Sequence, residues 1–317
     1  MHVLFIDKVH PILEDEMRNF GIECTNGSEW THADILSRID RFDGIVIRSK
    51  FQVNREFLEK AKGLKFIARS GSGMENIDLD YCEKHNIQCF NSPEGNRVAV
   101  AEHLIAMLLG LFNKLTIAQG QIEKGIWNRE ANRGIELNGK TIGIVGYGNN
   151  GQAFAHLLKN FGCRILAFDK YKHGFGDKYV EEVELGDIHR EADILSFHVP
   201  YTNETHYYFD REFKEKMSKE FYLLNAARGK LVNTKVLIEG LKSGKIKGAC
   251  LDVIEYERPS FEDFMSNNPP TEFSFLVEAQ NVILSPHVAG WTTESYRKLS
   301  EILWLKIQNW IINSNQP

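Results

Sequence analysis

Four short apolar runs mark the N-terminal part of the chain: VLFID (3–7), GIVIRS (44–49), LKFIARS (64–70) and IQCFNS (87–92). Each has the length and apolar content of a buried strand. Between them, PILEDEMRNF (11–20), HADILSRI (32–39) and NREFLEKA (54–61) carry apolar residues at helical spacing behind N-terminal acids or Asn. Strand–helix alternation at this period predicts a parallel sheet covered by helices. One long helix is then expected from about Asn96 to about Lys124. A second alternation follows, with strands at TIGIVG (141–146), CRILAFD (163–169), DILSFHV (193–199), YLLNAA (222–227), GACLDV (248–253) and NVILSP (281–286). Six strands with helical patterns between them are the complement of a doubly wound α/β sheet. Residues 258–279 interrupt the pattern with turn chemistry and read as an excursion on the rim. Residues 292–312 end the chain with an apolar helical stripe running from Leu299 to Ile311.

Composition narrows this picture. With 317 residues, 43% hydrophobic and 26% charged, the chain is of ordinary globular make-up and long enough for two domains. A net charge of -5 with interleaved signs argues against a nucleic-acid partner, while leaving room for a local pocket for a small anion. The five cysteines include no CxxC pair and read as reduced thiols of a cytoplasmic protein, with no metal site expected. The most apolar helix, VAVAEHLIAMLLGLF (98–112), is too short for a bilayer and carries Glu102 and His103. The N-terminus reads as a first strand and not as a leader, so a soluble protein with no membrane partner is expected.

Candidate chemistry begins at TIGIVGYGNNGQ, where Gly146, Gly148 and Gly151 form GxGxxG between a strand and a helix. That context gives the glycines physical roles. Gly146 permits a tight turn, Gly148 lets the backbone approach a pyrophosphate, and Gly151 allows close helix–strand packing. The helix N-terminus offers N–H groups and partial positive charge to phosphates. The next strand ends in Asp169, suited to ribose hydroxyls. A carboxylate there repels a 2′-phosphate and favours NAD over NADP, a preference that Lys170 and Lys172 soften.

Three later strand ends each deliver a polar group, in NAARG (225–229), LDVIEYE (251–257) and SPHVAG (285–290). Ligands of open α/β sheets bind beyond the carboxyl ends of the strands. Arg228 offers a planar fork for a carboxylate, and His287 can exchange a proton near neutral pH. Glu257 can hydrogen-bond the imidazole and keep it protonated for carbonyl reduction. Glu255 competes for that place.

Together with ARSGSGMENID (68–78), NSPEGNRVAVAEH (91–103), PYTNETH (200–206) and PHVAGWTTES (286–295), these segments resemble the NAD-dependent, D-isomer-specific 2-hydroxyacid dehydrogenases over essentially the whole chain. The resemblance implies a Rossmann-type NAD-binding domain (95–287) inserted into a smaller flavodoxin-like α/β substrate domain (1–94 plus 288–317), with the active site in the cleft between them. It implies Arg228, Glu257 and His287 as the catalytic residues. It places Asn149, Asn150, Asp169, Val199, Pro200, Thr205, Ala226, Ala227, Asp252 and Gly290, beside the three glycines, Arg228 and His287, where the family contacts NAD. Arg48 and the N–H groups of Ser72 and Gly73, with Arg228 and His287, would meet the substrate. A homodimer through the NAD-binding domain is implied as well. His103, His198 and His206 read as structural.

Some positions depart from the family pattern: Asn150, Gln152, Arg258 and the bulky Trp291. As to substrate, Arg48, Arg69, the WNRE segment (127–130) and TTES (292–295) lean towards D-3-phosphoglycerate and 3-phosphohydroxypyruvate, the first step of serine biosynthesis. In that subfamily the arginine of the matching segment can lie at the facing subunit's active site. Glyoxylate or hydroxypyruvate reduction is the alternative. An NAD-sensing corepressor on the same fold is a more distant one.

Overall fold

The computed structural model describes residues 1–257 and 269–314, and the chain divides into two compact units. The smaller unit comprises residues 1–96 and 291–314, the larger 97–257 and 269–290, counting described residues only. Both are α/β units built on parallel sheets, as the alternation predicts.

In the smaller unit the chain runs β1 (His2–Phe5), α1 (Ile12–Asn19), β2 (Glu23–Asn26), α2 (His32–Leu36), β3 (Gly44–Ile47), α3 (Arg55–Lys60), β4 (Phe66–Arg69), α4 (Leu79–Lys84) and β5 (Gln88–Phe90). The strands pair in parallel in the order β2-β1-β3-β4-β5. Strand β2, ECTN, is absent from the sequence expectation. It is an edge strand with only Cys24 buried, so it lacks the apolar run by which a strand is recognised.

The larger unit opens with α5 (Arg97–Phe112) and α6 (Leu115–Glu123), where the sequence predicts one helix. Lys114 adopts the left-handed conformation (φ 52°) and bends the pair by 60°. There follow β6 (Thr141–Val145), α7 (Asn149–Leu158), β7 (Arg164–Phe168), β8 (Val180–Glu182), α8 (Leu185–Glu191), β9 (Ile194–Phe197), α9 (Arg211–Lys216), β10 (Phe221–Asn225), α10 (Thr234–Ser243), β11 (Ile246–Leu251), α11 (Thr271–Glu278) and β12 (Val282–Leu284). Two corrections arise here. β8 is a seventh strand, again a short polar edge, and residues 271–278 of the expected excursion form a helix. Residues 258–268 of that excursion, Arg258 among them, lie outside the described residues.

The order β12-β11-β10-β9-β6-β7-β8 means that the chain steps outward from β6 to β8, then returns to the other side of β6. The strand order therefore reverses between β6 and β9, and the crevice at their carboxyl ends is where such sheets take ligands. Alternation along the strands sends Leu166, Leu195, Phe197, Leu223 and Ala249 against α8–α10 on one face. Ile142, Ile144, Ile165, Leu224 and Cys250 face α5 and α7 on the other. Parallel strands buried on both faces need helices on both.

The last helix, α12 (Thr293–Ser314), belongs to the smaller unit. Leu303, Trp304, Ile307 and Ile311 join Leu13 and Met17 of α1 in covering Val3, Phe5, Val46 and Phe66. No single helix among the described residues is long and apolar enough to cross a membrane.

Candidate active site

The glycine turn follows β6. Gly146 has φ 96°, and a Cβ there would stand 2.8 Å from the His198 carbonyl carbon, so only glycine lets the ends of β6 and β9 approach this closely. A Cβ on Gly151 would meet the Gly146 oxygen at 2.1 Å, which fixes the close entry of α7. Gly148 borders open space, and no side chain caps α7. Backbone N–H groups at a helix start beside a glycine with room around it fit a pyrophosphate. Asn149 and Asn150 occupy the first two helical positions, partly exposed.

Asp169 ends β7 and ties two loops together. Its Oδ2 accepts the Tyr147 N–H (2.7 Å) and its Oδ1 accepts those of Tyr171 (3.0 Å) and Lys172 (3.1 Å). Gln152, a departure from the family pattern, donates to the Tyr147 carbonyl at 3.0 Å and so braces the same turn. A cleft of about 740 Å³ beside Asp169 is also lined by Glu182, Glu184 and Asp187, with Lys170 and His173. Lys170 is paired with Glu204, so the acidic character of this end prevails. The surroundings suit a free ribose diol and oppose an added phosphate. Past β9, Val199 and Pro200 lead into a loop closed by Thr205, whose hydroxyl donates to the Pro200 carbonyl at 2.7 Å.

At the ends of β10, β11 and β12 the three strands are in register, with Asn225 opposite Leu251 and Leu251 opposite Leu284. The side chain of Asn225 folds the next turn, accepting from the Ala227 N–H (3.1 Å) and donating to the Arg228 carbonyl (2.9 Å). Ala226 and Ala227 thus line a turn that sets Arg228 in extended backbone. A Cβ on Gly229 would lie 1.9 Å from the Ile254 oxygen, so the loops after β10 and β11 are pressed together. From the second loop Glu257 accepts the Ile254 N–H with Oε1 (2.5 Å) and meets His287 Nδ1 with Oε2 (2.7 Å). Glu255 is occupied elsewhere, by the Tyr207 hydroxyl and the Thr234 N–H.

A carboxylate only accepts, so Nδ1 of His287 carries the proton in this contact. The ring is thus held through Nδ1, and Nε2 is the nitrogen assigned to proton exchange.

His287 itself has φ 55°, uncommon for a residue with a side chain and unfavourable by about 1–3 kcal/mol. What holds it there is Asp252, only 1% exposed. The Asp252 carbonyl accepts the His287 N–H (2.8 Å), Oδ1 accepts the Ser285 hydroxyl (2.6 Å) and the Val288 N–H (2.9 Å), and Oδ2 accepts the Ala289 N–H (2.9 Å). Sequence reasoning gave Asp252 a cofactor contact and missed this clamp, together with Ser285. An Asp directly after one strand and a Ser directly after its neighbour was the available signal. Gly290 closes the same loop.

In the smaller unit the loops after β3 and β4, adjacent strands, carry the remaining residues. Asp7 Oδ2 accepts the N–H groups of Arg48 (2.6 Å), Ser49 (3.1 Å) and Lys50 (3.2 Å). The Arg48 guanidinium lies 4.2 Å from the centre of the Trp291 ring. In the SGSG turn, a Gly71 Cβ would fall 1.5 Å from Arg69 Nη1, so glycine is required for the arginine to lie across it. Asn91 and Asn96 hold Ser72, by its carbonyl (2.6 Å) and hydroxyl (2.7 Å). Among the described residues, no protein acceptor takes the N–H of Ser72 or Gly73.

Residues 105–289 match the sequence profile of the D-isomer specific 2-hydroxyacid dehydrogenase, NAD binding domain. The chain is 33% identical over 311 residues to D-3-phosphoglycerate dehydrogenase of Archaeoglobus fulgidus, covering 98% of this chain and 57% of that protein. It is 34% identical over 274 residues to hydroxypyruvate reductase of Thermotoga maritima, covering 86% of each. The chain thus spans little more than half the length of the first of these relatives and most of the second. Among solved structures, D-lactate dehydrogenase of Aquifex aeolicus, complexed with NAD and lactic acid, superposes with TM-score 0.83 at 27% identity, covering 99% of this chain and 96% of that one. With a profile matched across more than half its length, the chain belongs to the D-isomer specific 2-hydroxyacid dehydrogenase family.

Proposed function

We propose that the protein is an NAD-dependent oxidoreductase that interconverts a D-2-hydroxy acid and its 2-keto acid, with D-3-phosphoglycerate and 3-phosphohydroxypyruvate as the pair it serves. The observation that carries this reading is the Glu257–His287 contact at 2.7 Å, with the imidazole set by a buried carboxylate at the end of the neighbouring strand. That pairing is what a general acid needs when a carbonyl oxygen gains a proton.

In the reducing direction Arg228 binds the substrate carboxylate through its planar fork and draws electron density towards the keto oxygen. His287 delivers the Nε2 proton to that oxygen, and Glu257 stabilises the imidazolium before transfer. Gly146, Gly148, Gly151 and Asp169 would hold NADH, whose nicotinamide would supply the hydride for C2. Val199, Pro200, Thr205, Ala226 and Ala227 would border the rest of the cofactor. Arg48 and the N–H groups of Ser72 and Gly73, on the smaller unit, are assigned to the anionic groups of the substrate. Trp291 occupies one face of the Arg48 guanidinium and leaves its N–H edge to donate. The relatives named D-3-phosphoglycerate dehydrogenase support this choice of substrate, and the one named hydroxypyruvate reductase supports the alternative.

A homodimer through the larger unit is part of the same reading. Leu115, Ile122, Ile126, Trp127 (80% exposed) and Ile135 present apolar surface, and α6 buries none of its residues. A face of that kind is expected to be covered by a second copy. Light scattering on the purified chain checks this, with twice the chain mass expected.

The deciding experiment is a steady-state panel of 3-phosphohydroxypyruvate, hydroxypyruvate, glyoxylate and pyruvate with NADH. The phosphorylated substrate is expected to show the highest kcat/KM. Higher efficiency with hydroxypyruvate or glyoxylate would reassign the substrate. Tight NADH binding with no turnover of any member would refute an enzymatic role.

A further inference from the structure

The Asp252 clamp does not end at Asp252. His103, on α5, places Nε2 2.8 Å from the Ser285 hydroxyl and 3.5 Å from Asp252 Oδ1. One turn further along the same helix, Met107 brings its sulfur to 3.7 Å from the same hydroxyl. Residues four apart share a helix face, so α5 grips Ser285 from one side while Asp252 holds it from the other. The Ser285 N–H is bound to the Leu251 carbonyl at 3.0 Å, which leaves the side chain little freedom.

Proton counting fixes the direction of this chain. The serine hydroxyl has one proton, and its shortest contact, 2.6 Å, is to a carboxylate that can only accept. The hydroxyl therefore donates to Asp252 and accepts from His103, which must carry its proton on Nε2. Among these contacts, Asp252 Oδ1 takes Ser285 and Val288, Oδ2 takes Ala289, and the backbone carbonyl takes His287. Each of these donors lies in the short loop that keeps His287 at φ 55°. If His103 withdraws its proton, the Ser285 hydroxyl gains a competing acceptor and the grip on Oδ1 loosens.

We propose that His103 is a positioning residue for His287, acting through Ser285 and Asp252 to hold the proton-donating ring in its left-handed backbone conformation. The role rests on His287 being the proton donor proposed above, although the geometry it maintains can be read without turnover. His103 touches neither the ring of His287 nor, in this assignment, the substrate. Its loss is therefore expected to weigh on the chemical step more than on binding.

The test uses the full chain with His103→Leu, His103→Gln and Ser285→Ala. His103→Leu is expected to lower kcat about tenfold, the scale of one lost hydrogen bond to a charged network, with KM for the keto acid and the Kd for NADH within about twofold of wild type. His103→Gln retains a donor of similar reach and should recover most of the loss. In imidazole nitrogen spectra of wild-type protein, His103 should be the Nε2–H form. The His287 signals should move in the leucine and alanine variants and return in the glutamine variant. If the wild type turns over no keto acid while the spectra behave as stated, the activity falls and the positioning role stands. Unchanged kcat and an unchanged His287 spectrum in folded His103→Leu would overturn it, as would a lower Tm with both of these unaltered. Should the leucine variant fail to fold, Ser285→Ala decides between the same outcomes.

Discussion

Asp7 and Asp252 stand at corresponding places in two different sheets and do the same thing by unequal means. Each lies just beyond a strand, β1 or β11, and gathers the N–H groups that follow the adjacent strand, β3 or β12. The Asp7 clamp presents Arg48, a long side chain whose tip is set by a second contact, the Trp291 ring. The Asp252 clamp presents His287, a short side chain whose aim is set by its own backbone. A guanidinium on a flexible stem tolerates a shifted backbone; an imidazole does not. Accordingly Asp252 is almost wholly buried and engages the loop by carbonyl and carboxylate together, whereas Asp7 is only partly buried.

The largest expected effect tests what the stronger clamp is for. His287→Gln should lower turnover by about 10²–10⁴, the range for loss of a general acid, and spare NADH binding measured by fluorescence. Near-wild-type turnover would leave the Asp252 clamp without a purpose.

Next comes the direct contrast. Asp252→Asn turns one acceptor oxygen into a donor facing an N–H or hydroxyl, and should lower kcat about 10- to 100-fold and stability by about 1–3 kcal/mol. Asp7→Asn should raise KM for the keto acid several-fold with kcat nearly intact. Equal losses of kcat in the two variants would break the comparison.

Smaller still, Glu257→Gln should lower kcat about tenfold by weakening the hold on Nδ1, a charge-assisted hydrogen bond becoming a neutral one. Glu255→Gln, acting on Tyr207 and Thr234, should leave kcat within about twofold and show itself in urea unfolding. Reversal of that pair would move the carboxylate role to Glu255. The mildest change is Trp291→Ala, which removes a cation–π contact of about 0.5–1 kcal/mol. It should alter KM by no more than about fivefold. A collapse of kcat would mean that Arg48 is as sensitive to placement as His287.

Strands with both faces buried announce themselves as apolar runs, and all of these were visible before any coordinates. The two that were not, β2 and β8, are edge strands with polar sequences, ECTN and VEE. Their strand state comes from pairing with a neighbour, which leaves no periodic mark in a segment this short. The helix expected to run unbroken to Lys124 fails for a related reason. Apolar positions continue through Leu115 and Ile117, while the break depends on a single left-handed Lys114. At the site, GxGxxG, NAARG and PHVAG each mark a strand end. The choice between Glu257 and Glu255 rested on the match to the family pattern until the loop path set one against His287 and the other against Tyr207.

By itself the sequence determined which residue types stand at the carboxyl end of each strand, and hence the family, because a strand's terminal residues are fixed by its own apolar length. Only the tertiary structure decided that His103 meets Ser285 across 182 positions, and that Asp252 turns its carboxylate to the loop of His287. Such contacts follow from strand order and helix packing, which place side chains together irrespective of their separation along the chain.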